Sequence, residues 1–486
     1  MSRQLQFALV VAVLANIAVL AWLLVRTPAD STPRDLGAVL EPLVDDPTMQ
    51  TTRYDLSGQN GQGGQSPNVI LVSLDALRAD RLGTGLTPNL DAFAGESVVF
   101  NDVMSTAPWT LPAHMSVWTG RWPTVHGVTN KLRLLARDQM VETVLSSGIE
   151  TFPDRLIQEG YVAAAFTGGA GVQGRYGFGR GFETYVDDRY FGGTDYSGPK
   201  AMAWLRENRD ERFFLFLHGY DVHGQFPLPD AALSGVDYDG ALDGGIEEQA
   251  SLRERGLGAI DEPGAASVLS GLDEGDTAFL ERVYDLKVRA LDERFGRFIG
   301  ELRALGLLDD TVVIVMSDHG DEFMEHGAVD HGHTLYQEQL HTVMMMRFPG
   351  YARRQDVDQV ARTVDLFPTV FDALGIEPPR DIDGVSLLPM MRGLDQPLMG
   401  FAETDYRLYV HHRAIRRGDH KLILDLMDGG RELYDLSTDP TEQHDISSAE
   451  PRLTYELAQE LQTWMQSVGT NPQDYLGVDQ KPIEIF

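Results

Sequence analysis

The sequence predicts an α/β protein built on a doubly wound, mainly parallel sheet. Three continuous apolar runs, a helical periodicity between them, and a polar cluster at the end of each run carry that prediction. The first run, Asn68 to Leu74 (NVILVSL), has no polar alternation, as a strand covered on both faces requires. Phe213 to Leu217 (FFLFL) and Thr311 to Met316 (TVVIVM) follow the same rule. Between the last two runs, Phe279, Val283, Leu286, Leu291, Phe295, Phe298, Ile299 and Leu302 recur at helical spacing, so Asp276 to Leu305 is expected to be one long helix. Strands alternating with helices make a parallel sheet, whose ligands bind beyond the carboxyl ends of the strands.

Residues 68–380 form the expected main domain. Within it, residues 224–275 are rich in Gly, Ala, Asp and Leu without a period, and read as an insertion bordering the site. After about Asp381 the pattern changes to short strands and a final helix, Thr454 to Ser467, so residues 381–486 are expected to form a smaller α+β subdomain. Ahead of the main domain, residues 27–67 end in SGQNGQGGQSP, a Gly- and Gln-rich linker. Residues 1–26 contain Phe7 to Val25, 19 residues interrupted only by Asn16. At about 1.5 Å per residue such a helix spans a bilayer core of roughly 30 Å. An uncleaved, single-pass transmembrane anchor is expected, with a cleavable signal peptide as the alternative; both put the body outside the cytoplasm, in the periplasm or beyond the cell.

Composition narrows the function. Asp and Glu number 73 against 40 Lys and Arg, a net charge of −33, which repels a nucleic-acid backbone and argues against DNA or RNA as a partner. There is no cysteine, so disulfides, thiolate metal sites and thiol nucleophiles are excluded together. The oligomeric state is left open.

The polar clusters are Asp75 after the first run, His218-Gly219-Tyr220-Asp221-Val222-His223 after the second, and Ser317-Asp318-His319-Gly320-Asp321 after the third. Carboxylates and imidazoles converging from three strand ends suit a divalent cation, zinc or manganese before calcium or magnesium because histidine is prominent. Downstream, MEHGAVDHGHTLYQE supplies His326, His331 and His333, of which His331 is the expected site residue. Arg78 and Asp80 are expected to pair structurally.

The ordered motifs NVILVSLDALRADRLG, APWTLPAHMSVWTGRWPTVHGV, FLFLHGYDVHG, TVVIVMSDHGDEFMEHG and HGHTLYQE resemble the sulfatase family of the alkaline phosphatase superfamily, and so do DIDGVSLLPMMRG and RELYDLSTDPTEQHDIS. The resemblance implies an alkaline-phosphatase-like fold, metal ligation by Asp75, Asp318 and His319, and Thr110 as metal-bound nucleophile. The family's C/S-x-P-x-R signature reads T-L-P-A-H here, with His114 in place of arginine. Threonine carries a β-methyl group and cannot give the formylglycine aldehyde that attacks sulfur. The family's sulfate-holding lysine and histidine are also absent from the stretch Gly160 to Gly169.

Threonine-using relatives, among them nucleotide phosphodiesterases and lipoteichoic acid synthases, attack phosphorus instead. The implied reading is therefore a membrane-tethered hydrolase or phosphotransferase acting on a phosphate ester, of phosphodiester or phosphonate type. A sulfuric ester hydrolase working without formylglycine, and an inactive cell-envelope binding protein, are the alternatives. His114, four residues after Thr110, is expected to position the threonine or the substrate. Asp221, His223 and His331 would complete a second metal site, or His223 and His331 would touch substrate, so one or two metals stay open. Lys421 matches a common family position without a clear role.

Overall fold

The structure is a computed structural model that describes residues 66–472 and 475, except 136–138, 229, 234, 253–270 and 409. The expected anchor Phe7 to Val25 and nearly all of the linker lie outside the described residues; among those described, no helix is long and apolar enough to cross a membrane.

Eight strands form the central sheet: β1 (Asn68–Leu74), β2 (Val98–Phe100), β3 (Val162–Phe166), β4 (Thr184–Val186), β5 (Phe213–Gly219), β6 (Thr311–Met316), β7 (Met344–Arg347) and β8 (Gln355–Val357). Their order is β8-β2-β7-β6-β1-β5-β3-β4. All neighbours are parallel except β7, which runs antiparallel to both β6 and β2. The three long apolar runs are the adjacent strands β6, β1 and β5 at the centre.

Each central strand is apolar throughout because each face has its own cover. Val69, Leu71, Phe214, Phe216, Val312 and Ile314 point to one face, where they meet helix α1 (Thr110–Thr119) through Leu111, Met115 and Trp118. Ile70, Val72, Leu215 and Val313 point to the other, covered by α2 (Thr194–Asn208) and α3 (Glu274–Ala304) through Met202, Leu205, Val288, Leu291 and Phe295. The 31-residue α3 starts at a capping box in which Asp273 accepts the Asp276 N–H at 3.0 Å. A further helix, α4 (Leu366–Leu374), packs beside α1.

The C-terminal part is an antiparallel four-stranded sheet in chain order, β9 (Met399–Thr404), β10 (His412–Arg417), β11 (His420–Asp425) and β12 (Arg431–Asp435). Helix α5 (Pro451–Ser467) buries Leu457, Leu461 and Trp464 against Phe401, Ile415 and Leu422 of that sheet.

Register places the chemistry. Ser73 lies opposite His218 on one side and Met316 on the other, so Asp75, Tyr220 and Asp318 leave the sheet at one edge. The Asp75 N–H continues the ladder to the Gly219 carbonyl at 3.2 Å.

Candidate active site

Thr110 is the first residue of α1, with Trp109 before it extended at φ −160°. Every residue of this helix is buried, which accounts for its apolar and small side chains. Thr110 is 5% exposed and opens onto a cavity of about 280 Å³. The unpaired N–H groups of the first turn bias that spot toward negative charge.

Around the hydroxyl converge the strand ends. His319 Nε2 lies 3.4 Å from Thr110 Oγ1, 3.4 Å from Asp318 Oδ2 and 3.9 Å from Asp75 Oδ1. His319 Nδ1 donates to the Gly320 carbonyl at 3.0 Å, which leaves the Nε2 lone pair facing the carboxylates. Asp75 Oδ1 and Asp318 Oδ2 are buried without a hydrogen bond. Two orphaned carboxylate oxygens beside an imidazole lone pair and a hydroxyl fit a divalent cation, and the ligand atoms of Asp75, Asp318 and His319 lie within 4.8 Å of one another.

The electrostatics agree. Burial, reinforced by the neighbouring Asp318, raises the Asp75 carboxyl well above its ordinary range. Burial pushes Asp318 the same way, but His319 and His114 overcome it and hold Asp318 low. Two carboxylates so close share their ionisation until a cation neutralises them.

The loop after β1 is held by unusual backbone. Ala76 sits at φ 60° and points its N–H at Asp318 Oδ1, 3.2 Å away. Tyr284 of α3 donates to the Ala76 carbonyl at 2.7 Å and accepts the Arg78 N–H at 2.8 Å. Arg78 pairs with Asp80 at 2.7 Å and with Glu325 at 2.5 Å, a structural clamp.

His114 does not face the cavity. It is fully buried beneath Thr110, with Nδ1 2.9 Å from the Thr110 carbonyl and 3.2 Å from Asp318 Oδ2, and Nε2 2.8 Å from Ser73 Oγ. Burial lowers its proton affinity, yet the Asp318 charge leaves it raised overall. It fixes the first turn of α1 to the Asp318 loop and does not line the cavity.

Asp221 corrects a sequence expectation. Its oxygens accept the Thr194 N–H at 2.7 Å, the Thr194 hydroxyl at 2.9 Å and Arg294 Nη1 at 2.5 Å, so it belongs to no candidate ligand group among the described residues. The cause is long-range: α3 delivers an arginine that ties Asp221 to the start of α2. His223 and His331 do line the cavity, with ring centres 4.8 Å apart. His223 Nδ1 accepts the Gln225 N–H at 3.3 Å, leaving its proton on Nε2, and Phe191 stacks on its ring at 4.8 Å. His331 Nδ1 donates to Asp321 Oδ1 at 2.6 Å and lies 2.8 Å from Asp330 Oδ1. Burial opposes its charge, but Asp330 and Asp321 raise its proton affinity well above the ordinary value.

His326 and His333 point elsewhere. His326 stacks on Tyr336 and donates to Glu338 at 2.7 Å, and His333 lies 3.3 Å from Glu322. Lys421, fully buried, pairs with Glu442 at 2.8 Å and is structural.

The missing sulfate-holding side chains have a backbone explanation. A Cβ at Gly168 would lie 2.2 Å from the Gly192 carbonyl oxygen, and one at Gly169 would lie 1.9 Å from that of Arg189. Gly171 abuts Thr110: a Cβ there would stand 2.8 Å from Thr110 Cβ and 2.9 Å from its Cγ2. The Gly171 N–H donates to Tyr220 Oη at 2.9 Å, which in turn donates to the Gly169 carbonyl at 3.1 Å.

Sequence reasoning missed several cavity residues. Tyr220 lines the cavity and belongs to a cluster visible in the sequence; His218 of the same cluster is fully buried, its Nε2 3.2 Å from Asp75 Oδ2. Lys131, Tyr406 and Arg407 have no local signal.

A family model described as Sulfatase matches residues 67–376, nearly two thirds of the chain. The chain belongs to the sulfatase family. A second model, N-sulphoglucosamine sulphohydrolase, C-terminal, matches residues 324–469. Arylsulfatase K of Rattus norvegicus is 23% identical over 85% of this chain and 84% of its own length. The N-acetylglucosamine-6-O-sulfatase of Bacteroides thetaiotaomicron is 25% identical over 78% and 82%. Among solved structures, the phosphonate monoester hydrolase of Agrobacterium radiobacter superposes with a TM-score of 0.65 at 19% identity, covering 83% of this chain and 96% of that one. This sulfatase-family chain is therefore a hydrolase of a family whose members bind a divalent metal.

Proposed function

We propose that this sulfatase-family member hydrolyses a phosphorus ester, of phosphodiester or phosphonate monoester type, through a covalent adduct on Thr110. The observation that carries the reading is Thr110 Oγ1 set 3.4 Å from His319 Nε2 and opening onto the cavity that His223 and His331 line. A divalent cation held by Asp75, Asp318 and His319, zinc or manganese by the donor set, would supply the charge that lowers the threonine pKa and offsets charge on the ester oxygens. Deprotonated to solvent, Thr110 Oγ1 attacks phosphorus, and the ester P–O bond breaks as the Oγ–P bond forms. The departing oxygen takes the proton of His331 Nε2, since Nδ1 is committed to Asp321. His331 Nε2 then accepts a proton from the water that cleaves Oγ–P. His223 Nε2–H donates to a non-bridging oxygen, and the α1 N-terminus favours the anion. His114 and Tyr220 hold the nucleophile's surroundings in place.

A second reading, sulfuric ester hydrolysis by the same threonine, is favoured by the sulfatase names of the curated relatives. A panel of nitrophenyl phosphodiester, phenylphosphonate, phosphate monoester and sulfate tests both. The expected result is a phosphorus ester exceeding the sulfate at least about tenfold in kcat/KM, with Thr110→Ala losing about 10³-fold or more. Equal turnover by Thr110→Ala overturns the covalent route, and sulfate in first place reverses the ranking. Export and tethering through Phe7 to Val25 complete the proposal, supported by the length of that apolar run. Protease shaving of intact cells or spheroplasts should remove the catalytic domain.

A further inference from the structure

The cavity above Thr110 carries two cations that no step of the proposed reaction uses. Lys131 and Arg407 both line it. Lys131 Nζ lies 3.4 Å from the Tyr190 hydroxyl and 5.7 Å from the centre of its ring. The Arg407 guanidinium lies 5.6 Å from the centre of the Tyr406 ring, and Tyr406 packs edge-on against Trp109 at 5.4 Å. Each cation is thus set beside an aromatic wall of the same cavity.

Their placement is enforced across 275 or more residues of chain. Asn130 donates to the Asp405 carbonyl at 2.6 Å and accepts the Arg407 N–H at 3.1 Å, fastening the two segments together. Arg407 has φ 53° and ψ 18°, and Phe191, which also lines the cavity, has φ 62°; both are left-handed conformations that branched or bulky residues avoid. Strained residues that converge on one pocket point to a ligand there. The chain as a whole carries 33 excess negative charges, so two cations at this mouth oppose the general field and act at short range. The reacting ester group, itself anionic, would be met by the divalent cation that Asp75, Asp318 and His319 would hold, by His223 and by the α1 N-terminus. About 280 Å³ leaves room for one substituted ring beyond it.

We propose that Lys131 and Arg407 select esters whose leaving alcohol is a ring bearing a second anionic group, the ring lying against the aromatic walls and the anion between the two cations. The inference rests on the reading of this cavity as an ester hydrolase site, and its test separates the two. Turnover would be compared on two nitrophenyl phosphonates matched in phenol acidity, one with a ring carboxylate and one without. Wild type should favour the carboxylated ester by about tenfold or more in kcat/KM at low salt, the preference shrinking at 0.5 M NaCl. Lys131→Gln and Arg407→Asn, the latter tolerant of a left-handed backbone, should each cut the ratio about fivefold, and Arg407→Lys should keep part of it. A wild type without preference, or variants with an unchanged ratio, would overturn the proposal. If neither ester turns over, the hydrolase reading fails, and calorimetry with the two free phenols decides: tighter binding of the carboxylated phenol by wild type, lost in Lys131→Gln, supports the cation pair, and equal binding overturns it.

Discussion

Gly171→Ala is the sharpest probe of how the threonine is accommodated. Residue 171 is not in the left-handed region, so alanine carries no backbone strain and the effect is steric alone. The new Cβ would stand 2.8 Å from Thr110 Cβ, 2.9 Å from Cγ2 and 3.2 Å from Tyr220 Oη. Carbon pairs prefer about 3.5 to 4.0 Å, so Thr110 must give way by roughly 0.7 Å or the Gly171 turn must retreat. Overpacking of this kind costs about 1–3 kcal/mol, and a displacement of that size at a reacting atom costs about 10- to 100-fold in kcat. The assay is a double-mutant cycle with Thr110→Ser, which removes Cγ2 and leaves the hydroxyl. In the serine background the alanine should be about fivefold less damaging, a coupling of about 1 kcal/mol. Wild-type kcat in Gly171→Ala, or strict additivity in the cycle, would refute the idea that glycine here makes room for the threonine methyl.

Three further outcomes are expected. Asp318→Asn should reduce bound divalent metal below stoichiometric level by elemental analysis and lower activity about 10³-fold, and chelation of wild type should do the same, reversed by zinc or manganese. Lys287, buried on α3, donates to the carbonyls of His223 and Gly224 at 3.0 and 3.3 Å, so Lys287→Met should lower kcat/KM about tenfold by loosening His223 while metal content stays constant. His126 is buried, with Nδ1 accepting the Val128 N–H at 3.1 Å, and burial pushes it down to about 3. Its unfolded pKa of about 6.5 means the unfolded chain takes the proton first, so stability is full above that value and falls as pH drops from there toward 3. At pH 5 the loss from this group is about 2 kcal/mol, and urea unfolding at pH 7 and 5 should show His126→Asn losing correspondingly less.

The parts of the fold legible in the sequence are those fixed by local burial. Strands β1, β5 and β6 stand out because both faces are covered and every position must be apolar. The single period of α3 stands out because one of its faces meets the sheet and the other meets water. Strands such as β2 and β8, three residues each, are defined by their neighbours and leave no local pattern. The same division holds in the site. Asp75, Asp318 and His319 follow buried strands, so their meeting at one sheet edge is legible; the pairing of Asp221 with Arg294, 73 residues away, is not. His114 occupies a motif position, but its burial beneath Thr110 depends on Ser73 and Asp318, which no spacing rule connects to it.

Asn130, Tyr406 and Arg407 give the C-terminal sheet a part in the cavity, since the segment after β9 supplies one wall. Asp75, Asp318 and His319 sit at the ends of parallel strands, whereas part of the surface that would meet the alcohol hangs from a separate antiparallel sheet. On the proposed reading, changes confined to residues 405–407 would alter the wall that meets the alcohol while leaving Asp75, Asp318 and His319 in place.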